Sequence, residues 1–281
     1  MANTDQESTC ADARALYIDL LKKALTFLLW QAADGSIKWQ NPSLMQRAKA
    51  SAREIFRRKY AGDRRMNLQE LRLGGRDWPV LAHTMIGLKR MDNLQRCVQD
   101  VIEKGIPGDL IETGVWRGGA TIFMRGILKA YGVKERRVWV ADSFEGLPKP
   151  DPQKYAADRD DIHYRLRFLA VSIDEVKNNF ARYGLLDEQV CFLKGWFKDT
   201  LPGAPIKRLA VARLDGDMYE STMDALRHLY PRLSVGGYLI IDDYGIVPAC
   251  RQAVEDYRST QAIKEPIQDI DGAGVFWQRK A

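Results

Sequence analysis

Cysteine is scarce in this 281-residue chain, with four copies, at positions 10, 97, 191 and 250. None forms a CxxC pair, so thiolate metal spacing is missing, and a disulfide framework is not expected in a chain this long. Histidine is scarcer still: His83, His163 and His228 are too far apart to make a zinc pair. His228 falls in a helical pattern and reads as structural, while His163 falls in a polar loop where it can assist chemistry. No apolar run approaches the ~18 residues that span a bilayer. The opening residues, MANTDQESTC, lack the basic-then-apolar order of a signal peptide and read as a frayed tail. These absences lead to the expectation of a cytoplasmic protein with no membrane partner. Internal repeats, low-complexity tracts, the G-x-G-x-x-G fingerprint and the Gly-Lys-Ser/Thr phosphate loop are also missing.

What is present is an ordinary globular composition, 46% hydrophobic and 28% charged, in a chain long enough to bury a sizeable core. The net charge is +6, and its location matters more than its size. Between Gln46 and Arg76 ten Lys/Arg face three acids, a surplus of seven that accounts for the whole excess. The stretch reads as a solvated helical face with a basic loop; a subunit contact, an anionic acceptor or nucleic acid are the sharper readings. No zinc-finger spacing or RNP aromatic motif accompanies it, so nucleic acid is not the expected partner. A homo-oligomer is.

Helical periodicity runs over 11–33, with Leu16, Leu20, Ala24 and Phe27/Leu28 as its apolar face, then over 42–60 and 84–101. After Pro107 the texture changes. Short apolar runs at 109–113, 137–142, 189–194, 208–215 and 238–243 alternate with helical patterns at 119–131, 169–184, 219–231 and 247–260. The runs do not alternate polar with apolar, so they suit strands covered on both faces. The expected fold is α/β: a mostly parallel sheet with helices on both sides, and an antiparallel edge strand at 274–278. Residues 1–105 are read as a helical extension and lid, and 106–281 as the core.

Four of the five parallel runs end in carboxylates: Glu112, Asp142, Asp215, and the pair Asp242-Asp243. Ligands of such sheets bind at those strand ends. In "IETGVWRGGAT" Gly114 and Gly118 let the backbone turn sharply and approach a ligand. Glu112 beside that turn would repel a pyrophosphate and suits a cation, such as a methionine ammonium. Asp142 is placed to accept hydrogen bonds from a ribose. A nucleoside without phosphate but with a cationic tail points to S-adenosylmethionine, with a plain strand-to-helix turn as the alternative. Asp215, Asp242 and Asp243, on neighbouring strands about 5 Å apart, are tolerable together if a hard divalent ion such as Mg²⁺ lies between them. Two alternatives stay open: Asp243 caps the following helix, and Asp217 is the N-cap of the helix near 219.

The segments "LYIDLLKKALT", "AHTMIGLKRMDNLQ", "GDLIETGVWRGGAT", "ADSFEGLPKPD", "GWFKDTLP", "RLDGDMYESTMDALRHLYPRLSVGGY" and "IDDYG" occur in this order over most of the chain. Together they resemble the macrocin-type O-methyltransferases, which methylate sugar hydroxyls of macrolide and aminocoumarin antibiotics. The resemblance implies a class I methyltransferase (Rossmann-like) fold, S-adenosylmethionine, and a divalent metal, usually Mg²⁺, held by Asp215, Asp242 and Asp243. It implies Asp215 as the general base. Thr84 and Met85 fall where the family's lid meets the cofactor, and Ser143 and Trp196 join Glu112, Gly114, Gly118 and Asp142 on the cofactor side. The expected partner is a small glycosylated molecule bearing the acceptor hydroxyl, and the tract from Pro150 to Arg165 is expected to face it. An acid of pKa about 3.9 deprotonates an alcohol only with help, which a metal supplies. Catechol-type relatives carry a lysine base where this chain has Met218. That weakens a phenol or catechol acceptor, which stands as the alternative reading, with a non-catalytic binding protein on the same fold as another.

Overall fold

The computed structural model describes residues 2–30, 68–75, 79 and 81–280. The helix expected at 42–60, and most of the basic stretch, lie outside the described residues. In chain order the elements are helices α1 (Ala2–Leu25), α2 (Leu68–Leu73) and α3 (Leu88–Glu103), then β1 (Asp109–Thr113), α4 (Gly119–Ala130) and β2 (Val138–Asp142). These are followed by α5 (Ile173–Arg182), β3 (Val190–Lys194), α6 (Phe197–Thr200), β4 (Leu209–Leu214), α7 (Tyr219–Leu229), β5 (Leu233–Ile241), α8 (Pro248–Thr260), β6 (Gln268–Asp269) and β7 (Val275–Gln278).

The sheet order is β3-β2-β1-β4-β5-β7-β6. β1 to β5 run parallel, and β7 pairs antiparallel with β5. The expected edge strand is therefore not the edge, because the two-residue β6 covers it. Pleating assigns the strand residues to two cores. Leu110, Val138, Val140, Val211 and Ile240 pack with α1, α3, α4 and α5. Ile111, Trp139, Ala212, Leu214, Leu239 and Ile241 pack with α7 and α8 on the other side. That period of two carries over to the strand ends: Glu112, Arg213 and Asp242 share the α3/α4 face.

α1 differs from its sequence reading at both ends and in its buried face. It begins at Ala2, so the expected tail is helical, and it stops at Leu25, ahead of Phe27 at φ 60°. Its buried stripe is Ile18, Leu21 and Leu25, whereas Leu16 and Leu20 are 70% and 54% exposed. Both series follow three- and four-residue steps, so periodicity could not choose between them. The choice is tertiary: Leu21 settles on the bare backbone of Gly126, where a Cβ would come within 2.2 Å of Leu21 Cδ2.

Candidate active site

The order of strands reverses between β1 and β4, and a cleft opens beyond their carboxyl ends. Gly114 sits in the first turn at φ 82°, and a Cβ there would lie 1.8 Å from the carbonyl oxygen of Asp215. Glycine thus allows the ends of β1 and β4 to touch. At the start of α4, Gly119 donates its N–H to the His83 carbonyl at 3.0 Å, which carries Thr84 and Met85 over the cleft. Two cavities meet here, with Met85, Gly114, Trp116, Leu169, Asp215 and Asp217 as their common wall. The first adds Asp142, Ser143 and Trp196; the second adds Thr84, Glu112, Asp242 and Asp243. Of the residues singled out in the sequence, Gly118 alone lines neither. It is the left-handed N-cap of α4, at φ 83°.

In the first cavity Asp142 is held by main-chain donors. The N–H groups of Val115 and Phe144 reach its two oxygens, each at 2.7 Å. Burial raises its pKa against those bonds. Ser143 turns its hydroxyl to the Gly146 carbonyl at 2.7 Å, which shapes the turn after β2. Trp116 was not singled out from sequence. Its indole N–H donates to the Phe168 carbonyl at 2.9 Å, and the Arg117 guanidinium stacks 4.3 Å from its ring.

The second cavity contains a charge cluster. Glu112 and Arg213 are register partners on neighbouring strands and form a buried ion pair. Arg213 also donates to Asp215 at 2.9 Å and to Asp242. Arg90, from α3, bonds Asp242 as well and donates to Asp271 at 3.0 Å. Burial drives Asp242 up, but the two guanidiniums prevail and hold it below the ordinary carboxylate range. Its neighbours move the other way. Burial pushes Glu112 up to about 8 despite Arg213, whose charge is divided among three acids. Burial and then Asp242 push Asp215 up to about 7, and burial pushes Asp217 up to about 6. Asp243 is raised well above the ordinary carboxylate range by burial and by Asp217, Asp215 and Asp242.

The two open readings at the strand ends are now decided by geometry. Asp243 does not cap α8, whose N-cap is Val247. Asp217 does not cap α7: the N-cap is Met218, and Asp158 from the preceding loop accepts from the N–H groups of Tyr219 at 2.6 Å and Glu220 at 3.0 Å. Asp217 instead faces both cavities, from a backbone at φ 55°. Oxygens of Asp215, Asp242 and Asp243 all lie within 4.8 Å of one another. Among the described residues Asp243 Oδ2 is buried without a hydrogen-bond partner. An all-oxygen donor set with one orphaned carboxylate oxygen fits a hard divalent cation.

Five parallel strands in this order, a glycine turn after the first and acids at the switch point define a class I methyltransferase fold. The sequence goes further. Residues 14–279 match the family model "Macrocin-O-methyltransferase (TylF)", and the chain belongs to that family of O-methyltransferases. It is 55% identical over 271 residues to the 8-demethyl-8-(2,3-dimethoxy-alpha-L-rhamnosyl)-tetracenomycin-C 4'-O-methyltransferase of Streptomyces olivaceus, covering 96% of this chain and 95% of the relative. It is 59% identical over 212 residues to the demethyldecarbamoylnovobiocin O-methyltransferase of Streptomyces niveus, covering 75% and 81%. The solved structure of the O-methyltransferase NovP superposes with a TM-score of 0.81 at 49% identity, covering 95% of this chain and all of that one. Among the described residues no helix is long and apolar enough to cross a membrane.

Proposed function

We propose that this O-methyltransferase moves the methyl group of S-adenosylmethionine to a hydroxyl oxygen on a sugar of a natural product, with a divalent ion, Mg²⁺ by its donor set, resident in the acid cluster. The observation that carries the reading is the common wall: the cavity beside Asp142 and the carboxylate-lined one share Met85, Gly114, Trp116, Leu169, Asp215 and Asp217. Relatives whose names specify glycosylated substrates support the sugar.

In this reading Asp142 and Ser143 receive the ribose, Trp196 walls the adenosine, and Glu112 faces the methionine ammonium. Gly114 lets the main chain approach, and Thr84 and Met85 close over the donor. The sulfonium leaves as a neutral thioether, so the chain must align an alcohol oxygen with the methyl carbon and accept a proton. Asp215 is the proposed base, because it lies in the wall common to the donor cavity and the acid cavity, where the methyl and the hydroxyl would meet. Asp215, Asp242 and Asp243 would hold the divalent ion, which supplies positive charge that lowers the cost of ionising an alcohol. Asp242 keeps its place between Arg90 and Arg213 and has lone pairs to spare on both oxygens.

The test is transfer of labelled methyl to rhamnosylated tetracenomycin and demethyldecarbamoylnovobiocin acceptors, beside catechol. Transfer to a glycoside that stops on chelation and returns with Mg²⁺ is expected. Transfer confined to catechol, or indifferent to chelation, would contradict the reading.

A further inference from the structure

The wall common to the two cavities is amphipathic. Met85, Trp116 and Leu169 make part of it apolar, and Asp215 and Asp217, with Gly114, make the rest of it polar. Trp116 is the bulkiest of these side chains and is half-buried. Its backbone stands at φ 47°, in the left-handed region that a bulky residue seldom occupies. Such strain persists only where the surrounding structure holds it, and it collects at ligand sites.

The indole is held at two points. Its N–H donates to the Phe168 carbonyl at 2.9 Å, beside Leu169. The Arg117 guanidinium lies 4.3 Å from the ring centre and is itself fixed on the Ala82 carbonyl at 2.8 Å. With its one polar atom engaged, the indole offers the cavities only hydrocarbon and π surface. Two groups compete for that surface, the sulfonium of the donor and the ring of the acceptor. A sulfonium is a cation, and on a ring that already attracts Arg117 it would meet a like charge. A pyranose is neutral and amphipathic, with hydroxyls around its rim and C–H groups on its faces. Its hydroxyls suit the aspartates of the common wall, and its C–H groups suit the indole.

We propose that the acceptor sugar lays a C–H face on Trp116, and that this contact holds the sugar with a hydroxyl at Asp215. The inference rests on the sugar reading above.

The test compares Trp116→Leu with Trp116→Phe on a rhamnosylated acceptor that the wild type methylates. Both variants lose the N–H that bonds Phe168, and only the second keeps an aromatic ring. Trp116→Leu should lower kcat/KM for the glycoside by roughly 10- to 100-fold, mostly through a raised KM, and Trp116→Phe should retain most of the wild-type value. Affinities for S-adenosylmethionine and S-adenosylhomocysteine, read by calorimetry without acceptor, should stay near wild type in both. Weakened S-adenosylmethionine binding with S-adenosylhomocysteine unaffected would assign the ring to the sulfonium and overturn the inference. Equal kinetic losses in the two variants would leave only the bond to Phe168, and weakened S-adenosylhomocysteine binding in both would mark a structural role. Either result overturns the inference, as does unimpaired transfer by Trp116→Leu. A wild type that methylates catechol and no glycoside removes the sugar reading itself, and this inference with it.

Discussion

Asp142 and Asp243 stand at the ends of strands of the same sheet, the first half-buried and the second buried, and they are satisfied in different ways. Asp142 has a main-chain donor at 2.7 Å on each oxygen, which fixes it and leaves lone pairs for a ligand. Asp243 has a buried oxygen with no partner among the described residues, beside Glu112, Asp215, Asp242 and Asp271, which share the guanidiniums of Arg90 and Arg213. Main-chain N–H groups fix a carboxylate without a charged partner. Surplus carboxylates leave a negative field that a ligand must meet. The comparison teaches that one half of the cleft is fixed by folding, and the other is completed by what binds.

Removing the proposed base should separate the halves most sharply. Asp215→Asn is expected to lower kcat by about 10³-fold while calorimetric affinity for S-adenosylhomocysteine stays within a fewfold of wild type. An equal loss of both would mean the halves are not independent. Arg213→Met takes a counter-charge from the buried Glu112 and Asp242 and the half-buried Asp215, and should lower unfolding free energy by ~3–5 kcal/mol, read by urea denaturation. Adding Mg²⁺ should recover part of that loss by mass action. Asp142→Ala orphans the N–H groups of Val115 and Phe144, at about 1–3 kcal/mol of stability for each buried group. It should weaken S-adenosylhomocysteine binding, and Mg²⁺ should recover none of it.

The smallest effect is a pH slope. Burial holds the Glu112 carboxyl up at about 8, above its ordinary 4.5. Between those values the folded chain keeps a proton that the unfolded chain has released. This contribution to stability is therefore full below about 4.5 and lost as pH rises through about 8. Urea midpoints measured across that window should fall less steeply in Glu112→Gln than in wild type.

Much of this architecture is legible in the sequence, for reasons of local pattern. The continuous apolar runs locate β1 to β4 to within a residue or so, because a strand covered on both faces needs apolar side chains at every position. β5 is longer than its run, since Gly236-Gly237 interrupts the pattern without ending the pairing. The acids at the strand ends are visible because carboxylates are out of place there. Their counter-ions were overlooked. Arg213 stands two residues before Asp215, the spacing that puts both on one face of a strand, so it carried a readable signal. Arg90 lies on a helix far upstream in the chain, and no local pattern links it to Asp242. The sequence leaves Asp217 open between an N-cap of α7 and the cleft, because an N-cap is ordinarily a residue close to the helix start in the chain. Here Asp158, brought in by tertiary folding, takes that place and leaves Asp217 to the cleft. The choice between the two stripes of α1 was likewise made by Gly126, outside the helix.

The central claim is that three carboxylates from two strand ends share one divalent cation. Titrating Mg²⁺ into the protein with S-adenosylhomocysteine bound, beside Asp243→Asn, tests it by calorimetry. The account predicts one ion per chain for the wild type and at least tenfold weaker binding in the variant, the loss of one charged ligand being worth ~1.4 kcal/mol or more. No heat of binding in the wild type, or identical isotherms for the two proteins, would contradict it.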